Sequence, residues 1–94
     1  MSAVSNSTAS AATPAADQHL DARGLNCPLP VLKTKVLLGR MQPGQVLRVT
    51  ATDPHARIDF EAYCARSGHE LLSIRDTDGT MEFLIRRAQE PKRI

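Results

Sequence analysis

Tryptophan is absent from this chain of 94 residues, and one tyrosine and two phenylalanines bring the aromatic content to only 3%. Sequence-tolerant binding of single-stranded nucleic acid uses aromatic platforms on which bases stack, and this composition supplies almost none. Strong charge is missing as well: 12 Lys and Arg against 10 Asp and Glu leave a net charge of +2, far from the basic footprint of a nucleic-acid-binding domain. No apolar run approaches the ~20 residues of a membrane-spanning helix. The chain therefore reads as soluble, with proteins as its partners and with neither membrane nor direct nucleic acid among them. Cysteine is scarce. Cys27 and Cys64 are the only two, and with His19, His55 and His69 they never fall into a Cys-x-x-Cys or His-x-x-x-His spacing, so no metal site is expected. Nothing else points to an oxidising compartment or a disulfide framework.

Basic residues are missing altogether from residues 1–17, which hold no large side chain beyond Met1 and Val4. A secretory signal needs a basic start and an apolar block, and a mitochondrial presequence needs arginine. This segment cannot bury enough surface to offset its conformational entropy, so it reads as a disordered Ala/Ser-rich tail on a cytoplasmic protein. The folded domain is expected over residues 18–88, with residues 89–94 as a short C-terminal tail. At this length the chain makes one domain with a modest core.

What is present is concentrated in Cys27-Pro28-Leu29-Pro30. Proline is well tolerated at the first helical position, because its missing N–H would have no partner there. Cys27 is thus expected at or beside an N-cap, with free N–H groups and the positive end of the helix dipole directed at its sulfur. Such a site favours the thiolate, the nucleophilic form. A free cysteine can also be a small buried hydrophobe. The flanking run from Leu20 to Asn26, a short strand followed by a turn at Gly24, instead puts Cys27 at a loop-to-helix corner, where function concentrates. Pro28, Pro30 and Gly24 are the supporting residues of this site.

The elements follow in the order βαβαββ. Leu20 to Arg23 reads as a strand, and Pro28 to about Met41 as a helix stopped by Gln42-Pro43-Gly44. Val46 to Thr52, rich in β-branched residues, reads as a strand. Asp53-Pro54 resembles an N-cap followed by proline at the first helical position. The second helix should run to about Ser67 and end on Gly68. Glu70 to Arg75 and Met81 to Arg87 form strands joined through Asp78-Gly79, a hairpin signal. The expected fold is an α/β two-layer sandwich, a four-stranded mixed sheet with two helices on one face. In the last strand Met81, Phe83 and Ile85 share one face, while Leu84 breaks the alternation and is marked as a candidate partner-facing residue.

Helical periodicity puts Val31, Thr34, Leu37, Leu38 and Met41 on a core stripe of the first helix. Leu29, Leu32 and Val36 form a second apolar strip, interleaved with Lys33 and Arg40. That strip is either further packing surface or a docking face running away from Cys27, and the sequence leaves both open. In the second helix Ala56, Phe60, Tyr63, Cys64 and Ser67 share a face, so Cys64 is expected in the core.

The residues Asp21-Ala22-Arg23-Gly24-Leu25-Asn26-Cys27-Pro28-Leu29-Pro30-Val31-Leu32, then Asp53-Pro54, Tyr63-Cys64 and Gly68-His69-Glu70-Leu71-Leu72, closely resemble the TusA/SirA-like sulfur carriers. The resemblance spans about residues 19–88, and its most specific part is the Cys-Pro-x-Pro block. It implies a βαβαββ sandwich like the C-terminal domain of translation initiation factor three, and a persulfide carried on Cys27. It further implies a cysteine desulfurase or other sulfur donor protein, an acceptor relay protein, a monomeric carrier, and no cofactor beyond the transferred sulfur. Family members serve 2-thiouridine synthesis in tRNA, molybdenum-cofactor synthesis or oxidative sulfur metabolism.

Sulfur transfer is thiol exchange, and an exposed Cys27 without a second thiol nearby suits it. Neither a general base nor a substrate pocket is evident in the sequence, which fits a covalent carrier better than an enzyme with its own small-molecule substrate. Two other classes stay open. One is a thiol redox protein pairing Cys27 with Cys64. The other is a nucleic-acid-binding or regulatory module, suggested by the fold and by Arg86-Arg87 and Lys92-Arg93.

Overall fold

A computed structural model describes residues 15–91. Strand β1 (Gln18–Ala22), helix α1 (Leu29–Gly39), β2 (Val46–Ala51), helix α2 (Ala56–Ser67), β3 (Glu70–Thr77) and β4 (Thr80–Arg86) follow one another in the expected βαβαββ order. Residues 1–14 of the proposed tail, and Lys92 and Arg93, lie outside the described residues. Asp17, placed in that tail by the sequence, is held against β2. Its N–H donates to the Val46 carbonyl at 2.8 Å and its Oδ2 accepts from the Val46 N–H at 2.8 Å.

The four strands form one mixed sheet of order β1-β2-β4-β3. β1 runs parallel to β2, and β4 is antiparallel to both β2 and β3. The last strand therefore slots between β2 and its own hairpin partner. The hairpin closes through Asp78 (φ 51°) and Gly79 (φ 86°), the pair of positive φ angles that a two-residue type I′ turn requires. Helix α2 ends as its sequence dictates: Gly68 takes φ 89° and its N–H donates to the Cys64 carbonyl, satisfying one of the last turn's free carbonyls.

Alternate strand residues point to one face. Ala22, Leu47, Val49, Ala51, Met81, Phe83 and Ile85 join Leu38, Met41, Phe60, Tyr63 and Cys64 of the helical layer in a single core. Phe60 and Phe83 stack across the layers with ring centroids 4.4 Å apart. The α1 stripe divides by depth: Thr34 and Leu38 are fully buried, whereas Val31 and Leu37 pack against the core from its edge. Pro30 is buried as well.

Leu84 corrects the sequence reading. It is only 3% exposed and is not free to face a partner. β4 is an interior strand, and Leu84 is flanked in register by Arg48 of β2 and Ser73 of β3, so its neighbours on both sides cover it.

Candidate functional site

Cys27 lies in the loop between β1 and α1 as an exposed free thiol. The helix starts slightly later than the sequence suggests. Pro28 occupies the cap position with φ −101° and ψ 16°, Leu29 is the first helical residue and Pro30 stands in the first turn. No side chain caps the helix. The loop is instead pinned from the segment after β2. Gly24, at φ 81°, donates its N–H to Thr52 Oγ1 at 2.9 Å. The Cys27 N–H donates to Asp53 Oδ2 at 2.5 Å, while Asp53 Oδ1 accepts the His55 N–H at 2.9 Å. One carboxylate thus ties the cysteine loop to the entry of α2, and these two backbone bonds hold its pKa below the ordinary carboxylate value. Asp53 does cap the turn into α2, but the helix itself begins at Ala56, beyond Pro54.

The thiolate expectation is overturned. The side chain of Asp59, in the first turn of α2, takes a hydrogen bond from the Cys27 thiol. That bond, followed by desolvation and by the charges of Asp59 and Asp53, raises the Cys27 pKa above its ordinary value. A helix end offers only about half a unit of positive charge, and a full carboxylate in contact with the sulfur outweighs it.

An open cleft of about 310 Å³ begins at Cys27 and runs between the two helices. Val31 and Leu32 from α1 and Ala62 and Tyr63 from α2 make its apolar walls. Lys35, Asp59 and Arg66 bring charge of both signs to it. Cys27 is therefore accompanied by both a carboxylate and a concavity, which the sequence reading did not find. The spacing of Asp59, Ala62 and Arg66 at i, i+3 and i+7 marks one stripe of α2. Only the packing of the two helices shows that this stripe faces the cysteine.

Leu29, Leu32 and Val36 are 44%, 49% and 56% exposed. They are large apolar residues left in solvent rather than packed. With Leu20, Leu37, Lys33 and Arg40 they line a second groove of about 410 Å³. Leu32 borders both concavities and forms the ridge between them.

Cys64 is buried in the core, and desolvation pushes its thiol up to about 11. Of the basic residues behind the nucleic-acid alternative, the two that the structure describes, Arg86 and Arg87, are engaged elsewhere. Arg86 pairs with Glu70 at 2.9 Å, and Arg87 donates to the Leu38 and Ala88 carbonyls at 2.9 and 2.8 Å. Among the described residues no helix is long and apolar enough to cross a membrane, and no group of three or more His, Cys, Asp or Glu is placed to hold a metal ion.

Residues 18–87 match the family described as sulfurtransferase TusA. The sulfur carrier protein TusA of Allochromatium vinosum is 49% identical over 72 residues, covering 77% of this chain and 95% of that protein. The TusA of Pseudomonas aeruginosa is 41% identical over 75 residues, covering 80% and 95%. Among solved structures, a SirA-like protein from Desulfitobacterium hafniense superposes with a TM-score of 0.68 at 25% identity, over 76% of this chain and 97% of that one.

Proposed function

The chain belongs to the TusA sulfurtransferase family, and from that premise we propose that it is a cytoplasmic, monomeric sulfur carrier whose working atom is Cys27 Sγ. The observation that carries this reading is the contrast between its two thiols: Cys27 is exposed at a pinned loop-to-helix corner, and Cys64 is sealed in the core. A carrier needs one accessible sulfur, and a second thiol in reach would discharge the cargo as a disulfide.

Loading is a thiol exchange. Cys27 releases its proton to solvent, and the resulting thiolate attacks the outer sulfur of a donor cysteine persulfide. A new S–S bond forms on Cys27, the donor's S–S bond breaks, and the donor leaves as its thiolate. Delivery repeats the step with an acceptor cysteine attacking the outer sulfur on Cys27. No resident cofactor is required, because the cargo is itself the reacting group. The donor is a cysteine desulfurase or a protein of equivalent chemistry, and the acceptor is a relay protein. The sulfur ends in tRNA 2-thiouridine, in molybdenum-cofactor synthesis or in oxidative sulfur metabolism.

Both partners must reach the same atom in turn, and the groove of Leu29, Leu32 and Val36 beside it, rimmed by Lys33 and Arg40, is the proposed docking face. Small transient interfaces draw much of their specificity and on-rate from charge complementarity. The test is acquisition and handing-on of label. With radiolabelled cysteine sulfur and a desulfurase, label should appear on the chain in a reductant-labile form, then move to an acceptor protein with a reactive cysteine. A chain that stays unlabelled refutes the proposal.

A further inference from the structure

A carboxylate beside a sulfur that has to act as a nucleophile is an obstacle unless it has a use. Asp59 reaches Cys27 from the opposite wall of the cleft and takes the hydrogen bond of its thiol. The carboxylate that does structural work in the loop is a different one, Asp53, which grips the Cys27 backbone N–H. Asp59 is thus left to act on the sulfur itself.

We propose that Asp59 is a restraining residue, which holds the Cys27 of the empty carrier as a hydrogen-bonded thiol and loses that hold once the sulfur is loaded. The inference rests on Cys27 being the carrier atom. In the loaded form Sγ bears no proton, and the acidic sulfur stands one S–S bond, ~2 Å, further out. A persulfide is also intrinsically more acidic than a thiol. Empty chains are therefore kept as thiols, while loaded chains ionise at their outer sulfur.

The use of this asymmetry lies in a reaction it suppresses. If the thiolate of an empty chain attacks the inner sulfur of a loaded one, a bond forms between the two Sγ atoms. The bond to the outer sulfur then breaks, and hydrosulfide leaves with the electron pair. Two carriers end as an intermolecular disulfide and the cargo is lost. The attacking species must be a thiolate, and Asp59 keeps it scarce. The upward shift of Cys27 has the sign that this role requires. Lys35 from α1, Arg66 and Tyr63 from α2, and Asp53 with its neighbour His55 are the other titratable groups around the sulfur.

The test is the pH dependence of Cys27 alkylation by iodoacetamide in wild type, Asp59→Asn and Asp59→Glu, with the adduct located by peptide mapping and folding checked by circular dichroism. Asp59→Asn should move the midpoint downward and alkylate about tenfold faster at neutral pH, the factor that one pKa unit represents. Asp59→Glu should stay close to wild type. A mixture of loaded and empty Asp59→Asn chains should also release sulfide faster than the wild-type mixture. An unchanged alkylation profile in Asp59→Asn would overturn the proposal. Slower alkylation would do so too, since Asp59 would then be a base that activates the thiol. Alkylation needs no sulfur donor, so its outcome is independent of whether the chain loads sulfur.

Discussion

Thr34 offers a stringent check on the packing beneath the site. It stands mid-way along α1, fully buried, between the buried residues Pro30 and Leu38 one turn to either side. Its Oγ1 has no hydrogen-bond partner. A buried hydroxyl left unpaired forfeits its hydration, at about 1–3 kcal/mol. Valine has nearly the same shape and removes that loss without opening a cavity, and the helix propensities of the two residues are close. Thr34→Val should therefore stabilise the domain by about 1 kcal/mol, or ~4–8 °C in Tm for a domain of this size. Thr34→Ser, which keeps the hydroxyl and gives up the methyl, should lower Tm instead, as loss of a buried methyl does. Urea titration at equilibrium gives the free energy and a thermal melt gives Tm. If Thr34→Val is less stable than wild type, the hydroxyl has a partner and the account of this helix face is wrong. Cys27 alkylation should be the same in both proteins, because Thr34 faces the core.

Two other outcomes follow from the same geometry. Lys33→Glu with Arg40→Glu should slow sulfur acquisition from the donor by about tenfold at low salt, the effect fading as exposed charges are screened beyond ~8–10 Å, with Cys27 alkylation unchanged; acquisition at the wild-type rate would remove the groove as the docking face. Cys64 ionises near 9 as an ordinary thiol and at about 11 in the folded protein, so the native state keeps a proton that the unfolded state gives up. Stability should hold below about pH 9 and fall as pH rises toward 11. Tyr63, also raised by burial, adds a loss of the same sign above its ordinary range. Denaturant melts across this window should show a shallower fall in Cys64→Ala; an identical slope in both proteins would mean that the buried thiol is not the titrating group.

Local chemistry was enough to read most of the fold. The positive φ angles at Asp78, Gly79 and Gly68 belong to residue types that tolerate them, and the alternation of Met81, Phe83 and Ile85 gives the inner face of β4 directly. Both stripes of α1 were legible from periodicity, but whether Leu29, Leu32 and Val36 are packed or exposed was left open by the sequence and is decided by the structure, which leaves them in solvent. What the sequence hid was convergence. Asp53 bonds to Cys27 from 26 residues away, and Asp59 arrives from another helix, so neither could be assigned to the site from spacing within one element. The sign of the Cys27 shift was hidden for that reason: its own helix end favours the thiolate, and the carboxylate that outweighs it comes from the facing helix. Leu84 was misread in the same way, since its cover comes from strands on both sides rather than from its own pattern.

The central claim is that Cys27 alone carries the sulfur. Intact-mass spectrometry after incubation with a cysteine desulfurase and cysteine tests it most directly, applied to wild type, Cys27→Ala and Cys64→Ala. Wild type and Cys64→Ala should each gain the mass of a sulfur atom, removable by reductant, and Cys27→Ala should gain none while remaining folded. Loading of Cys27→Ala, or a failure of folded Cys64→Ala to load, would contradict the account and point to a mechanism that uses both thiols.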